Sequence, residues 1–183
     1  MRTHKALIPL DGSAFSRQIL PVIRRLLPPE HYTLLLLRVA DAPTVIAAAL
    51  PHLLPVGPIR VPIYEQAQED ADPVRHPLYA DYVQETVQTE LEDDLHAIAR
   101  TLDGYDVTIA VRFGDPGEEI AACVADEHVD LVVMATHGRT GVRQVVLGSV
   151  ANAVLCHVEV PVLLFRPQEE AAAATLGERT LFF

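Results

Sequence analysis

The sequence predicts a doubly wound α/β sandwich, in which a five-stranded, mostly parallel sheet alternates with four main helices. Three observations support this fold class. Short apolar runs end in turn residues, the segments between them carry apolar residues at helical spacing, and the run of four leucines at 34–37 is too continuous for a half-exposed strand. A length of 183 residues suits one such domain.

The first half of the chain predicts a β-α-β unit. Residues 4–10 form a short apolar run that ends at Asp-Gly-Ser, and a helix is expected over 13–30, with Pro21 kinking it or marking its first turn. The apolar run over 32–41 suits a central parallel strand. The proline-rich segment 42–77 interrupts this order, and we interpret it as a long surface loop.

The second half of the chain continues the alternation of helices and strands. A long amphipathic helix begins near residue 80 and ends at Gly104, and a later helix carries Glu118 and Glu119 in its first turn, where the helix dipole favours acids. A domain over 1–167 and a tail over 168–183 are therefore expected. The remaining predicted strands cover 106–116, 130–138 and 160–167, and the remaining helices cover 117–129 and 148–158.

Composition narrows the class of protein. A formal net charge of −11 without a basic tract argues against nucleic acid as a partner, because phosphate backbones require clustered cations. No apolar run is long enough to span a membrane, and no signal-peptide pattern opens the chain, so a cytoplasmic location is expected. The two cysteines, Cys123 and Cys156, lie in apolar helical segments and are expected to be buried free thiols.

Acidic residues are missing from one long stretch. The 28 residues between Asp130 and Glu159 contain no Asp or Glu, although simple proportion predicts roughly four. The same stretch contains Arg139 and Arg143. A site for an anion explains why acids are absent and cations are present.

Two predicted strands end in sequences that suit such a site. The first ends at Pro9-Leu10-Asp11-Gly12-Ser13 and the fourth at Ala135-Thr136-His137-Gly138-Arg139, and the carboxyl ends of parallel strands collect ligands. The following helix opens at Gly148-Ser149, where free backbone N–H groups favour phosphate. Neither a P-loop nor a dinucleotide fingerprint occurs, so these residues alone indicate an anion or nucleotide site.

Simpler roles exist for several of these residues. Asp11 suits a turn cap, Ser13 or Ser16 suits the N-cap of the first helix, and Ser149 suits the N-cap of its own helix. His137 has no second His, Cys or carboxylate beside it, so we interpret it as a loop side chain and expect no metal site. No general acid and base are identifiable, so the sequence makes no case for catalysis.

Taken together, these motifs resemble the universal stress protein family over residues 3–167. The ATP-binding branch of that family carries G-x2-G-x9-G-[S/T] after its fourth strand, and this chain matches it at Gly138, Gly148 and Ser149. Ala135 replaces the first glycine, and its methyl group would crowd a nucleotide if the backbone required a positive φ there. The segments PLDGS, THGRTG, LGSVA and CHVEVPVLLFRP also resemble the family.

The resemblance implies an adenine nucleotide alpha hydrolase-like fold, a bound adenine nucleotide such as ATP with or without Mg²⁺, and a dimeric stress-response regulatory module. It implies Asp11 near the ribose or base, Val39 beside adenine, and the glycine-rich residues around the phosphates. The implied nucleotide-binding residues are Pro9, Leu10, Asp11, Val39, Ala135, His137, Gly138, Arg139, Gly148, Ser149, Val150 and Ala151. The implied homodimer pairs through Val160, Pro161, Val162, Leu163, Leu164 and Phe165.

Two alternative functions stay open at this point. The first is a nucleotide-free dimer that acts through protein–protein contacts, which Ala135 favours and Gly138, Gly148 and Ser149 oppose. The second is a slow ATP hydrolase, which would also require an oriented water molecule.

Overall fold

Five parallel strands form one sheet at the centre of the structure. The computed structural model describes residues 3–41, 77–136 and 147–167. The predicted parallel α/β sheet is confirmed. The strands are β1 (His4–Pro9), β2 (Tyr32–Ala40), β3 (Val107–Phe113), β4 (Leu131–Ala135) and β5 (Val162–Phe165).

Helices cover both faces of this sheet. The four predicted helical segments are present, and the first of them consists of two short helices that meet at Gln18. Pro21 is the third residue of the second of these, where a missing N–H costs no intrahelical bond. The helices are α1 (Ala14–Arg17), α2 (Ile19–Leu26), α3 (Pro77–Ala99), α4 (Pro116–Asp126) and α5 (Ser149–His157).

The leucine run of β2 explains why the sheet has two cores. Successive side chains of a strand point to opposite faces, so Leu34 and Leu36 pack under α2 and α3, while Leu35 and Leu37 pack under α4 and α5. All four leucines are buried. Burial on both faces is the reason why the run is continuous rather than alternating.

The long helix ends a few residues earlier than predicted. Its last helical residue is Ala99, and Gly104 lies in the turn that follows, with a φ of +89°. The Tyr105 hydroxyl then donates a hydrogen bond of 2.7 Å to the Leu27 carbonyl, which ties this turn to the end of α2. The prediction of the helix is confirmed. Its end differs because the residues after Ala99 form turns with hydrogen bonds between residues three apart, such as Leu102 to Ala99.

The cysteine prediction is right for one residue and wrong for the other. Cys123 lies on α4 and is buried against the sheet, whereas Cys156 lies on α5 and is exposed. The buried residues of α5 are Ala151 and Val154. Cys156 follows Val154 by two positions, which places it on the opposite side of the helix.

Strand order determines where a site can form. From β1 the chain runs outward through β2 and β3, and then returns to place β4 and β5 on the other side of β1. The order therefore reverses between β1 and β4, and parallel sheets open a crevice at the carboxyl ends of such neighbouring strands. Of the segment 42–77, predicted as a loop, residues 42–76 lie outside the described residues and Pro77 is the first residue of α3. The predicted tail, 168–183, also lies outside the described residues.

Candidate functional site

A cleft of about 670 Å³ opens at the carboxyl ends of β1, β2 and β4, between the first turns of α4 and α5. Nine of the twelve predicted site residues border this one cleft. They are Pro9, Leu10, Asp11, Val39, Ala135, Gly148, Ser149, Val150 and Ala151. The other three, His137, Gly138 and Arg139, lie outside the described residues, as do Gly141 and Arg143.

The loop after β1 is held by its own side chains. Asp11 Oδ1 accepts a hydrogen bond of 2.8 Å from the Ser13 N–H, and Ser13 Oγ accepts one of 3.0 Å from the Ser16 N–H. Ser13 is therefore the N-cap of α1, while the Ser16 hydroxyl donates back to the Ser13 carbonyl. Asp11 serves the turn and borders the cleft at once, so its two predicted roles are compatible.

Ala135 does not need to be glycine for backbone reasons. It is the last residue of β4, pairs with Phe165 of β5, and has no positive φ. Among the described residues other than glycine, only His128 adopts a positive φ. Replacement of glycine by alanine therefore adds a methyl group at the cleft without straining the strand.

The first turn of α5 faces the cleft without a side-chain cap. Gly148 is the N-cap, with φ −60° and ψ 152°, and Ser149 is the first helical residue. The expectation that Ser149 is the N-cap is therefore wrong by one residue. The Gly148 carbonyl accepts the first helical bond, from Asn152, and Gly148 brings no side chain that would compete for the amides of the turn. Backbone N–H groups in the first turn of a helix have no partner within the helix and favour an anion.

Part of the cleft's lining is an apolar wall. Strands β2 and β4 contribute buried or partly buried apolar side chains, and the first turns of α4 complete the wall. A planar apolar ring fits against such a surface, while charged groups are accommodated at the helix terminus. The wall consists of Leu37, Val39, Pro116, Ile120 and Met134.

Eight lining residues are not among the twelve that were predicted to bind the nucleotide. Leu37 lies two positions before Val39 on the same face of β2, so strand alternation was the signal for it, while Met134 directly precedes Ala135 at the end of β4. Pro116 and Ile120 begin the helix after β3, and the turn Gly-Asp-Pro-Gly indicates that this helix starts at the same sheet edge. The full set is Ser16, Leu37, Pro116, Ile120, Met134, Thr136, Leu147 and Asn152.

Neither a cluster of metal-binding side chains nor a membrane-spanning helix is found in the described residues. In that part of the chain, no three His, Cys, Asp or Glu side chains cluster in a way that would hold a metal ion. None of the helices within 3–41, 77–136 and 147–167 is both long and apolar enough to cross a membrane.

Comparison with known proteins matches nearly the whole chain to one family. The model of the universal stress protein family matches residues 2–166. Universal stress protein MJ0577 of Methanocaldococcus jannaschii is 34% identical over 82 residues, which are 45% of each chain. Universal stress protein Sll1388 of Synechocystis sp. is 35% identical over 82 residues, 44% of this chain and 53% of that protein. The chain spans about half the length of the curated relatives it matches.

Solved structures show the same fold at lower sequence identity. The structure of MJ0577 gives a TM-score of 0.65 at 21% identity and covers 92% of this chain and 99% of that one. A universal stress protein in complex with cAMP gives 0.52 at 15% identity, covering 92% and 100%. One from Arabidopsis thaliana with AMP bound gives 0.50 at 14% identity, covering 92% and 94%. Since the family model covers nearly all of the sheet and its helices, the chain belongs to the universal stress protein family.

Proposed function

We propose that the cleft binds an adenine nucleotide, ATP with or without Mg²⁺ in the first instance, and that binding regulates a dimeric stress-response module. The observation that carries this proposal is the first turn of α5, which begins at Gly148 without a side-chain cap and borders an apolar cleft. A helix terminus of this kind favours phosphate groups, and the apolar wall suits a purine ring.

The residues present fit such a ligand. A volume of about 670 Å³ lies inside the usual range for small-molecule sites, about 300–1,000 Å³. We assign Gly148, Ser149 and Val150 to the phosphates, Val39 to adenine, and Asp11 to the ribose or base. Ala135 keeps ordinary strand geometry, so it narrows the cleft by one methyl group only. His137, Gly138 and Arg139 stay assigned to the phosphates on the sequence pattern alone.

Two proteins with this fold support the choice of nucleotide, because they were solved with cAMP and with AMP bound. Both are adenine nucleotides, and they differ in their phosphate groups. The two ligands share their base and sugar. This agrees with our assignment of the apolar wall and Asp11 to the part of the ligand that adenine nucleotides have in common. Our choice of ATP rather than AMP as the ligand rests on the resemblance of Gly138, Gly148 and Ser149 to the family's ATP-binding pattern.

The experiment that tests this function is detection of bound nucleotide. Freshly purified protein is denatured, the released small molecules are identified by mass spectrometry, and ATP, ADP, AMP and cAMP are titrated by calorimetry with and without Mg²⁺. Gly148→Ala and Gly148→Val form a graded pair, because φ −60° at this position accepts both side chains. We expect valine to abolish binding and alanine to weaken it, while both variants keep the native unfolding transition. A wild-type protein that binds none of the four nucleotides would refute the proposal.

We also propose that two copies pair through the last strand. β5 lies at one edge of the sheet, and its residues Val162–Phe165 are apolar and only partly buried. An apolar edge strand of this kind is covered when it pairs with a second copy. Sedimentation of wild type, Val162→Lys and Thr108→Lys tests this. Thr108 lies on the opposite edge strand, so only Val162→Lys is expected to give the mass of a single chain.

The remaining assignments are of domain and location. We propose that residues 1–167 are the nucleotide-binding domain, that 168–183 is a separate tail, and that the protein acts in the cytoplasm. Free thiols at Cys123 and Cys156 support a reducing compartment. Fractionation of the source cells tests the location, and recovery in a secreted or membrane fraction would contradict it.

A further inference from the structure

Arg38 is the one charged side chain in β2, a strand that otherwise reads as nearly continuous apolar sequence. It follows Leu37 and therefore points to the face of the sheet that is opposite the cleft's apolar wall. The side chain is partly buried, and this burial is the main reason why the pKa of Arg38 is lowered. Burying a charged side chain costs more free energy than burying a leucine in the same space, so we expect the Arg38 charge to have a function.

The guanidinium group contacts the loop after β1 on both sides of Asp11. Nη1 donates a hydrogen bond of 3.3 Å to the Leu10 carbonyl, which precedes Asp11. The same group lies against the backbone of Gly12, which follows Asp11, so closely that a Cβ on Gly12 would collide with it. Gly12 also has a φ of +81°. Glycine is therefore required at this position for its backbone angle, and a side chain there would also displace the Arg38 guanidinium.

Charges around Arg38 favour this arrangement. Asp11 and Asp94 attract the guanidinium, while Arg17 repels it and is itself paired with Asp94 at 2.8 Å. An arginine stays charged at neutral pH even when its pKa is lowered by burial. A fixed positive charge thus lies beneath the turn that presents Asp11 to the cleft.

We propose that Arg38 is a positioning residue for the nucleotide site, which fixes Asp11 by holding the backbone on both sides of it. This inference rests on the proposed function for its effect on affinity. Arg38 contacts the cleft-lining residue Leu10 but does not itself line the cleft, so we do not assign it a contact with the ligand. Its planar guanidinium is suited to cover a peptide group and reach a carbonyl together, which a lysine ammonium does less well.

A double-mutant cycle on ATP affinity tests the inference. Calorimetry compares wild type, Arg38→Met, Asp11→Ala and the double variant, with thermal unfolding in the absence of nucleotide as the fold check. We expect Arg38→Met to weaken binding about tenfold, Arg38→Lys to recover part of this loss, and the double variant to match Asp11→Ala within about twofold. Losses that multiply in the double variant, or an unchanged affinity in Arg38→Met, would overturn the inference.

A matched control is available at Arg24. Its guanidinium also donates to a backbone carbonyl of another segment, that of Thr101, but it lies on α2 and does not border the cleft. Arg24→Met should leave ATP affinity within about twofold of wild type, because loss of an arginine remote from the loop does not move Asp11. A similar loss in both variants would assign the effect to general destabilisation and overturn the positioning role.

A second readout does not depend on nucleotide binding. The Ser13 N–H is held by Asp11 Oδ1, so its hydrogen exchange reports whether the turn is ordered. We expect Arg38→Met to speed exchange at Ser13 about tenfold or more, and Arg24→Met to leave it unchanged. If wild type binds no nucleotide, the proposed function fails while this measurement still decides the inference. Equal protection in wild type and Arg38→Met would refute it.

Discussion

Two helices begin at the edge of the same cleft, and their first turns are built in opposite ways. Asp115 caps α4, and its Oδ1 accepts hydrogen bonds from the N–H groups of Gly117 and Glu118 at 2.9 and 3.1 Å. α5 begins at Gly148, which has no side chain to do the same. Both Pro116 of α4 and Gly148 border the cleft. Position at the sheet edge therefore does not by itself make a helix terminus available to a ligand.

Charge separates the two termini further. The first turn of α4 carries Glu118 and Glu119, whereas that of α5 carries no acid and lies in the acid-free stretch of the sequence. Acids in a first turn interact with the helix dipole in the place that an anionic ligand would take. α4 therefore satisfies its own terminus, and the terminus of α5 remains suited to an anion from outside.

The largest expected effect comes from making α5 resemble α4. Gly148→Asp introduces a cap at a position whose φ of −60° and ψ of 152° already suit an N-cap aspartate. We expect the free energy of unfolding without nucleotide to stay level or rise by about 0.5 kcal/mol, and ATP affinity to fall about 100-fold or more, because the carboxylate occupies the amides and repels phosphate. Chemical denaturation and calorimetry measure the two quantities.

Gly148→Asn is the control for this change. It caps the helix with a neutral group, so it should weaken binding by less than the aspartate does. Equal affinities in the aspartate variant and wild type would show that nucleotide phosphates do not use the first turn of α5.

The next effect concerns how the first turn of α4 packs. Gly117 is buried, and a Cβ added to it would lie 2.6 Å from the Cβ of Ala153 on α5. We expect Gly117→Ala to lower the free energy of unfolding by about 1–3 kcal/mol, because two well-packed helices must separate. Denaturant unfolding checks this value.

The partner substitution Ala153→Gly removes the methyl group that Gly117→Ala would strike. The double variant should therefore recover part of the lost stability, although glycine within α5 costs about 1 kcal/mol of its own. If the losses in free energy of unfolding were strictly additive in the double variant, the side chains at 117 and 153 would not be in contact in Gly117→Ala.

A smaller effect is expected when the cap of α4 is removed. Asp115→Ala should lower the free energy of unfolding by about 1 kcal/mol, because two N–H groups lose their acceptor. ATP affinity should change by less than about twofold, because we assign no ligand to this terminus. Thermal unfolding and calorimetry give the two numbers, and Asp115→Asn, which keeps the cap, should resemble wild type in both. A large change in affinity would show that α4 is part of the anion site.

Sequence periodicity was sufficient for the fold because the sheet is buried on both faces. The continuous run Leu34 to Leu37 suits such a strand, and strand–helix alternation then leaves few topologies. The ends of strands β1 and β4 and the helix start at Gly148-Ser149 could be located from the sequence, because the carboxyl ends of parallel strands meet at one edge. The assignments of Val39, Val150 and Ala151 came only from the resemblance to the family.

The sequence could not predict features that depend on helix phase or on packing between segments distant in the chain. Ser149 and Gly148 are both good N-cap residues, and which one caps α5 depends on a single residue of helix phase. Cys156 lies in an apolar segment, yet the face of α5 that packs on the sheet is the one with Val154. The contact of Arg38 with Gly12 joins two strands' ends and has no local signature.

The smallest expected effect uses the one cysteine that each of these two helices carries. Cys123 of α4 is buried, and its burial raises the pKa of the thiol, whereas Cys156 of α5 is exposed. At neutral pH a thiol reagent should therefore modify one cysteine per folded chain, Cys156, and two after denaturation. Rapid modification of both in the folded protein would show that α4 does not pack closely on the sheet.

The same difference predicts how stability depends on pH. An unfolded thiol titrates near pH 8.5, and the folded state holds the Cys123 proton to higher pH, so the unfolded state binds fewer protons above that value. The stabilising contribution is thus complete below about pH 8.5 and is lost as the pH rises through the folded pKa. Denaturant unfolding between neutral and alkaline pH should show this decline in wild type and in Cys156→Ala, and a flatter profile in Cys123→Ala. An identical slope in both alanine variants would mean that the decline comes from other groups. Burial of the Cys123 thiol would then not contribute to the pH dependence of the free energy of unfolding.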